Sequence, residues 1–322
     1  MTREAPVAAI SELSRSVDVR DPRKIARARR KRAIIRSWHE YRRNKLGVAG
    51  IVILLFFGGM AIVSLFLDQS VLKKTLVTEA DIAPCSFRDL PCAPNGNNIL
   101  GTDADGRSVL ALVVHGSRTS LLVGVSASVI TMVLGAAVGI GAGFGSRFTD
   151  AVLMRTADFL LVIPWLVLAI VLASIFRRNL LLIILIIGFT SWPGAARLIR
   201  AQTLSVKEHL YVERSKALGG GTWHVVSRHI LPNVMPVILA NAILTVAIAI
   251  LSESALSFLG LGDPLAVTWG QVIEEGFSRA AISNGAWWWL LAPSFSIVLV
   301  VLGFTMVGQA LDEVINPRIR ER

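Results

Sequence analysis

This chain has little of what ordinary soluble proteins are built from. Only 17% of its 322 residues are charged, whereas 53% are hydrophobic and the mean hydropathy is +0.62. Cysteine occurs twice, tyrosine twice and histidine five times. A chain with this balance is not an ordinary soluble domain, because it has too few polar residues to cover a water-exposed surface.

Several enzyme motifs are also missing. The sequence contains no Gly-x-Ser-x-Gly, no His-Glu-x-x-His and no Gly-x4-Gly-Lys-Ser/Thr. Its histidines are spread over three polar regions and do not cluster within an apolar run. We therefore predict no catalytic residues, and with so few cysteines and no histidine cluster we predict no metal site. Because there is no phosphate-cradling loop, we also predict no bound cofactor and expect any energy to come from a partner.

What the chain does have is six apolar runs, each about as long as the ~20 residues that cross a hydrocarbon core. They predict an all-α membrane protein with six transmembrane helices. The first run lies far from the N-terminus and lacks a small-residue cleavage site, so it is a retained span and not a signal peptide. The runs occupy approximately residues 47–67, 121–145, 151–176, 180–196, 234–261 and 287–311.

The distribution of charge predicts the orientation of these spans. The net charge is +11, and residues 1–46 alone carry fourteen basic and five acidic side chains. The positive-inside rule therefore places the N-terminus in the cytoplasm, and six crossings return the C-terminus there. Residues 197–232, with six basic and two acidic side chains, are cytoplasmic in this topology, while residues 68–115 face outward with four basic and six acidic ones.

The basic N-terminal region also predicts contact with lipid. Ile34, Trp38 and Tyr41 follow the basic stretch 27–32 at the spacing of one helix face. This pattern favours a helix lying on an anionic membrane surface over an arm that binds nucleic acid. We therefore predict membrane lipids, and not nucleic acid, as its partner.

Both cysteines, Cys85 and Cys92, lie in the outward loop. An outward loop faces an oxidising compartment, so a disulfide between them is plausible, with two free thiols as the alternative. In the same loop, Asp103 and Asp105 resemble the start of a calcium loop, but the third ligand, the glycine at the sixth place and the distal glutamate are missing.

Three glycines and two acids stand out within the apolar runs. Gly135, Gly139 and Gly143 recur every four residues, which predicts a smooth helix face for close helix packing, with a pore wall made of backbone as the alternative. Glu253 is expected to point into the helix bundle as a structural group, or otherwise to relay protons. Asp158 lies one turn from Arg155, which predicts either a local ion pair between them or a position at the membrane interface.

The segment 213–232 is polar and lies between two apolar runs. It predicts a short helix over residues 211–218, a stop at three glycines beginning with Gly219, and a second helix over 223–230 before Pro232 begins the next element. Read alone, the pattern is also compatible with an ordinary amphipathic loop helix.

The spacing within this segment resembles the cytoplasmic coupling loop of ABC-importer permeases. That loop has a glutamate, two small residues, a glycine six positions after the glutamate and a closing Leu-Pro. Arg214 and His229 depart from the family pattern, and we expect partner specificity to lie there. The resemblance also implies that Ala217 allows close approach of a partner and that Trp223 anchors the second helix against the bundle. The coupling residues expected here are therefore Glu213, Ser215, Ala217, Gly219, Trp223, Leu231 and Pro232.

Three further motifs resemble the dipeptide and oligopeptide branch of these permeases. They are Leu-Gly-Thr-Asp followed by Gly-Arg and Gly-Ser-Arg-Thr-Ser-Leu over residues 100–121, Leu-Ser-Phe-Leu-Gly-Leu-Gly over 256–262 with Trp-Gly at 269–270, and the tryptophans of 287–289. Towards the C-terminus, residues 308–317 lack the acidic pattern of the family.

The resemblance implies a type I ABC-importer permease with both termini in the cytoplasm of a bacterial plasma (inner) membrane. It implies four partners: a second, homologous permease, two cytoplasmic ATPases that bind ATP and Mg²⁺, and an extracytoplasmic peptide-binding protein. A permease for nickel or another small solute, and a channel or scaffold without ATP coupling, remain as alternatives. The segments would be a basic cytoplasmic region 1–46, a first span 47–67, an outward loop 68–115, a permease core 116–311 with five spans and the coupling loop 197–232, and a tail 312–322.

Overall fold

The computed structural model describes residues 41–66, 82 and 85–315. Residues 41–44 belong to a separate unit and form one helical turn, in which Asn44 N–H donates to Tyr41 O at 3.0 Å. The rest of the N-terminal basic segment, residues 67–81, 83 and 84 at the start of the outward loop, and the tail beyond residue 315 lie outside the described residues. The expected surface helix and the tail arginines therefore stay predictions.

Helices joined by loops make up the described part of the second unit, with one isolated β-bridge between Thr102 and Ser108. Its helices are α1 (Lys45–Phe66), α2 (Val109–Phe144), α3 (Arg147–Val162), α4 (Trp165–Ile175), α5 (Leu180–Lys207), α6 (Leu210–Ala217), α7 (Thr222–Phe258), α8 (Trp269–Ser278) and α9 (Trp287–Ile315). A short 3₁₀ turn, Phe87–Asp89, precedes α2.

Five of these helices, α1, α2, α5, α7 and α9, are long and apolar enough to cross a membrane. The pair α3 and α4 counts as a sixth span if it is taken as one element, although it is bent by 85°. Pro164 causes the break: Ile163 before it is extended, as a residue preceding proline prefers, and Pro164 lacks the N–H that would continue the hydrogen-bond ladder. The third apolar run is therefore not a straight span.

The glycine stripe of α2 lies against α5. A Cβ added to Gly135 would come within 2.7 Å of Ala195 Cβ, and one added to Gly139 within 2.6 Å of Ala196 O. The third glycine, Gly143, meets Thr203 at 2.8 Å in the same way. With no side chains between them, the two backbones come close enough for extensive van der Waals contact, which is the main source of helix association in lipid.

Tryptophan and glycine fit α8 against the start of α2. Trp269 is fully buried; its backbone N–H donates to Ser120 Oγ at 3.2 Å and its indole Nε1–H to Val113 O at 2.9 Å. A Cβ on Gly116 would come within 2.8 Å of this ring. Because the buried indole has its hydrogen-bond partner, Trp269 joins α8 to α2 without an unsatisfied donor.

Two helices begin earlier than the apolar runs predict. α2 starts at Val109, twelve residues before the expected 121, and α7 starts at Thr222, before the expected 234. In both, the first turns carry polar side chains, which hydropathy does not count as part of a span. The outward loop is therefore shorter, and the second helix of the coupling segment is continuous with the span that follows.

Candidate functional site

The coupling segment turns sharply at the end of α6. Gly219 has φ +83°, its N–H donates to Lys216 O at 3.0 Å, and Gly220 N–H donates to Ser215 O at 2.9 Å. This pair of bonds is a Schellman cap, and its left-handed position favours glycine because an L side chain there would clash with the backbone. The glycine stop that the sequence predicts is therefore built by Gly219.

One face of the segment is firmly buried. Val212, Val225 and Ile230 are fully buried and join an apolar cluster with α2 and α5. Because α6 and the start of α7 share this cluster with two spanning helices, a force on α6 is transmitted to packed side chains and not absorbed by a loose loop. Other members of the cluster are Met132, Ile140, Ala195, Ile199, Val206, Val234 and Ile238.

Other side chains of the segment are exposed, among them one acid and two large apolar groups. Glu213 is exposed, Leu218 is 89% exposed and Trp223 is 81% exposed. The expectation that Trp223 anchors the second helix against the bundle is wrong. Val225, two residues later on the same helix, takes the inward position, and that spacing turns Trp223 to the outside.

The remaining predicted coupling residues lie around this turn. Ser215 is half-buried beneath the cap, Ala217 is exposed at the last turn of α6, and Leu231 and Pro232 lie within α7. At Val226–Ile230 the helix widens into a π-turn, in which Leu231 N–H bonds to Val226 O. Pro232 has no N–H to give, so it follows the π-turn without ending the helix.

Four rings connect α6 to α7 on the exposed side. The centroid of Tyr211 lies 5.4 Å from that of His209 and 5.9 Å from that of His229, and His224 lies 6.0 Å from His229. His229, a departure from the family pattern, is thus the α7 ring that lies next to Tyr211 of α6. The other departure, Arg214, is exposed on α6.

Cations attach the segment to the ends of α2 and α5. Lys216 Nζ lies 4.8 Å from the centroid of the Phe144 ring, and Lys207 Nζ lies 5.6 Å from it and donates to Gly143 O at 3.1 Å. Such cation–π contacts are worth roughly 0.5–1 kcal/mol at exposed sites. They add a polar connection between α6 and the glycine-lined helix.

Ion pairs join α3 to α5 nearby. Arg200 binds Asp150 through two hydrogen bonds of 2.5 and 2.6 Å, and Arg197 binds Asp158. The predicted pair between Asp158 and Arg155 is therefore wrong, because Arg197 of a neighbouring helix takes that carboxylate. Sequence spacing cannot reveal a partner 39 residues away.

At the other end of the bundle, the loop before α2 is clamped onto α8. Arg107 donates to Asp103 and to Glu275, each at 2.6 Å, while Arg279 pairs with Asp105 at 2.6 Å. Burial raises the pKa of Asp103 more than the nearby Arg107 lowers it. The acids that resembled a calcium loop are thus engaged by arginines. Arg107 is only four residues from Asp103, but Glu275 and Arg279 lie too far along the chain for the sequence to indicate them.

The same loop contains the two cysteines. The structure joins Cys85 to Cys92, with their Cα atoms 6.3 Å apart. Cys92 N–H donates to Thr102 Oγ1 at 2.9 Å, and Thr102 O accepts the indole N–H of Trp288 at 3.2 Å. The Leu-Gly-Thr-Asp motif therefore fastens the disulfide-closed loop to the start of α9.

Glu253 is fully buried in α7. Ser257 Oγ donates to its Oε1 at 2.7 Å, and its Oε2 has no hydrogen-bond partner among the described residues. Within the described part of the chain, no group of three or more His, Cys, Asp or Glu side chains is placed to hold a metal ion.

The comparisons with known proteins agree with this architecture. Residues 135–321 match the family described as "Binding-protein-dependent transport system inner membrane component". The chain is 36% identical over 286 residues to the dipeptide transport system permease protein DppC of Bacillus subtilis (strain 168), covering 88% of this chain and 85% of that protein. It is 33% identical over 280 residues to the oligopeptide transport system permease protein OppC of Haemophilus influenzae, covering 86% of each.

A solved structure shares the fold. A chain of the MetNI methionine ABC transporter, captured in inward-facing conformations, aligns with a TM-score of 0.53 at 18% identity. The alignment covers 63% of this chain and 96% of that one. The helical bundle described above is thus the fold of an ABC-importer permease.

Proposed function

This chain belongs to the inner membrane components of binding-protein-dependent transport systems, and on that premise we propose that it is a permease subunit of an importer for dipeptides or oligopeptides. The relatives named above, which cover most of its length, are dipeptide and oligopeptide transport permeases. The motifs of residues 100–121, 256–262 and 269–270 agree with that branch.

The observation that carries the coupling role is the two-faced segment Leu210–Ile230. Its inner side chains are packed into the cluster with α2 and α5, while Glu213, Leu218 and Trp223 stand exposed. Large apolar side chains left exposed on a segment that is otherwise packed into the bundle are typical of a protein-docking surface. We therefore propose that this face sits in a groove of an ATPase, which holds ATP and Mg²⁺, and that closure of two ATPases moves the segment and rocks the spans.

The remaining partners follow from this role. A second, homologous permease would complete the pathway, and an extracytoplasmic peptide-binding protein would deliver substrate to the end that carries the disulfide-closed loop. The basic segment 1–46 and the coupling segment would face the cytoplasm, as the positive-inside rule requires. The chain itself would bind no nucleotide.

Uptake by whole cells tests the substrate class. Cells with and without this chain would be given labelled di-, tri- and longer peptides, with labelled nickel as the alternative solute. The proposal predicts that peptide uptake requires the chain and that nickel uptake is the same with and without it. Loss of nickel uptake with normal peptide uptake would contradict it.

A further inference from the structure

A half-enclosed cavity lies at the end of the bundle opposite α6. Its volume is about 360 Å³, within the ~300–1,000 Å³ typical of small-molecule sites. Its walls come from the first turns of α2, the segment after α7 and one face of α8. The polar residues among those walls are Arg107, His115, Arg118, Thr119, Gln271 and Glu275.

The charges of this cavity leave one cation unmatched. Glu275 is held by Arg107, which also binds Asp103. Arg118 is exposed and forms no ion pair with any described residue. A guanidinium facing a cavity without a partner suits a carboxylate, because its planar fork can donate two parallel hydrogen bonds.

A second observation points to a ligand at the same place. His115, one turn before Arg118 on α2, is only 7% exposed, and its Nε2 has no hydrogen-bond partner in the described part of the chain. A buried polar atom without a partner is costly, so a ligand that supplies one gains affinity there. With its proton on Nε2, His115 can donate to a carboxylate oxygen.

We propose that this cavity binds the C-terminal carboxylate of the peptide as it leaves the binding protein, with Arg118 and His115 as the donors. The inference rests on the proposed function and adds to it a substrate-contacting site on this chain. The pairing of Glu275 with Arg107 weakens the repulsion that this carboxylate would otherwise exert on the peptide terminus.

The experiment uses the reconstituted complex of both permeases, the ATPases and the binding protein. Transport of a labelled tripeptide with a free C-terminus is compared with that of its C-terminal amide. The affinity of the isolated binding protein for each peptide is measured separately, and each transport KM is corrected for it. For Arg118→Gln we expect the KM for the free acid to rise at least about tenfold, because the loss of even one charge-assisted hydrogen bond has an effect of that size. The KM for the amide should change little.

Two further variants sharpen the result. Arg118→Lys keeps the charge and should recover part of the lost transport. Arg88→Gln removes an exposed arginine of the same loop region that does not line the cavity, and should behave like the wild type. Thermal unfolding of each purified variant checks that the fold is intact, which we expect because Arg118 is exposed.

Three results would overturn the inference. Equal transport of the free acid by Arg118→Gln and wild type would show that the cavity does not bind the peptide carboxylate, while the proposed peptide import would still stand. Weaker docking of the peptide-free binding protein to Arg118→Gln would mean that the arginine contacts an acid of that protein instead. A wild-type complex that moves no peptide would overturn the proposed function together with this inference.

Discussion

Glu253 is a buried acid that the apolar run around it makes conspicuous. Its position inside the bundle follows from the cost of a carboxylate in lipid, and the structure supplies one hydrogen bond, from Ser257 to Oε1. That arrangement favours a packed structural group. A proton relay would instead need the acid to change its protonation state during transport.

Glu253→Gln separates these two roles. Glutamine keeps the shape and the Oε1 acceptor, so we expect near wild-type peptide uptake and stability. Glu253→Ala should be destabilised by roughly 1–3 kcal/mol, because it leaves a buried hydroxyl without its acceptor. Thermal unfolding in detergent and peptide uptake measure both effects; loss of uptake by a stable Glu253→Gln protein would favour the relay.

Single residues were predictable where the reason is local and not where it is tertiary. Gly219 was identifiable because a helix stop requires a left-handed residue, and the structure gives it φ +83°. Trp223 was misplaced because its direction depends on which neighbour packs inward. Asp158 was misassigned because its partner, Arg197, is on another helix.

At the scale of elements, the close packing of α2 against α5 depends on glycines, which place no side chain between the two helices. A Cβ added to Gly139 would lie 2.6 Å from Ala196 O, which is too close. A Cβ added to Gly141, two residues later, would lie at an ordinary van der Waals distance of 3.7 Å from Leu153 Cδ1. The same helix therefore offers a tight glycine and a loose one as matched sites.

We expect Gly139→Ala to lower the free energy of unfolding by roughly 1–3 kcal/mol, the usual range for overpacking a filled interface. Gly141→Ala should be neutral or stabilising, since alanine favours the helix by up to ~1 kcal/mol. Thermal unfolding of both purified variants is the measurement. Equal stability of the two would show that α2 and α5 can separate without cost.

The cap of α6 offers a second matched pair. An added Cβ at Gly219 or at Gly221 meets no other atom within 4 Å, but the φ of Gly219 is +83° and that of Gly221 is −64°. Gly219→Ala should therefore cost roughly 1–2 kcal/mol of backbone strain, and Gly221→Ala much less.

Hydrogen exchange at the amides of Gly219 and Gly220 would detect this difference. Both amides donate within the cap, so Gly219→Ala should speed exchange at Gly220, and Gly219→Pro should open the turn and also uncouple transport from ATP hydrolysis. Unchanged exchange in Gly219→Ala would mean that the cap does not hold the turn.

Helix existence was predictable from hydropathy, and helix boundaries were not. α2 begins twelve residues early because His115, Ser117 and Arg118 continue the helix through polar turns. The third apolar run reads as one span, but a single proline bends it by 85°. These differences arise because backbone hydrogen bonding, and not side-chain polarity, decides where a helix starts and breaks.

For the whole molecule, the two ends of the bundle have different constructions. One end is closed by a disulfide, an indole hydrogen bond and arginine pairs between the loop before α2 and α8. The other end presents α6, buried on one face and exposed on the other. A molecule built in this way can receive force at one end and respond at the other, provided that the packed helices between them move together.

The order of the motifs along the chain made this overall assignment possible from sequence. The distribution of charge predicts that the coupling segment lies on the side of the basic N-terminus, and the missing nucleotide motif predicts a partner that supplies energy. The cavity around Arg118 was not predictable, because its walls come from α2, α8 and the segment between α7 and α8, which only the fold brings together.

The central claim is that α6, through its exposed side chains, transmits the motion driven by ATP hydrolysis from the ATPases to the spans. The most direct measurement is the number of peptides transported per ATP hydrolysed by the reconstituted complex with Glu213→Ala, an exposed site where the fold should be unaffected. The account predicts that the transport ratio falls while the complex still folds and hydrolyses ATP. An unchanged ratio would contradict it.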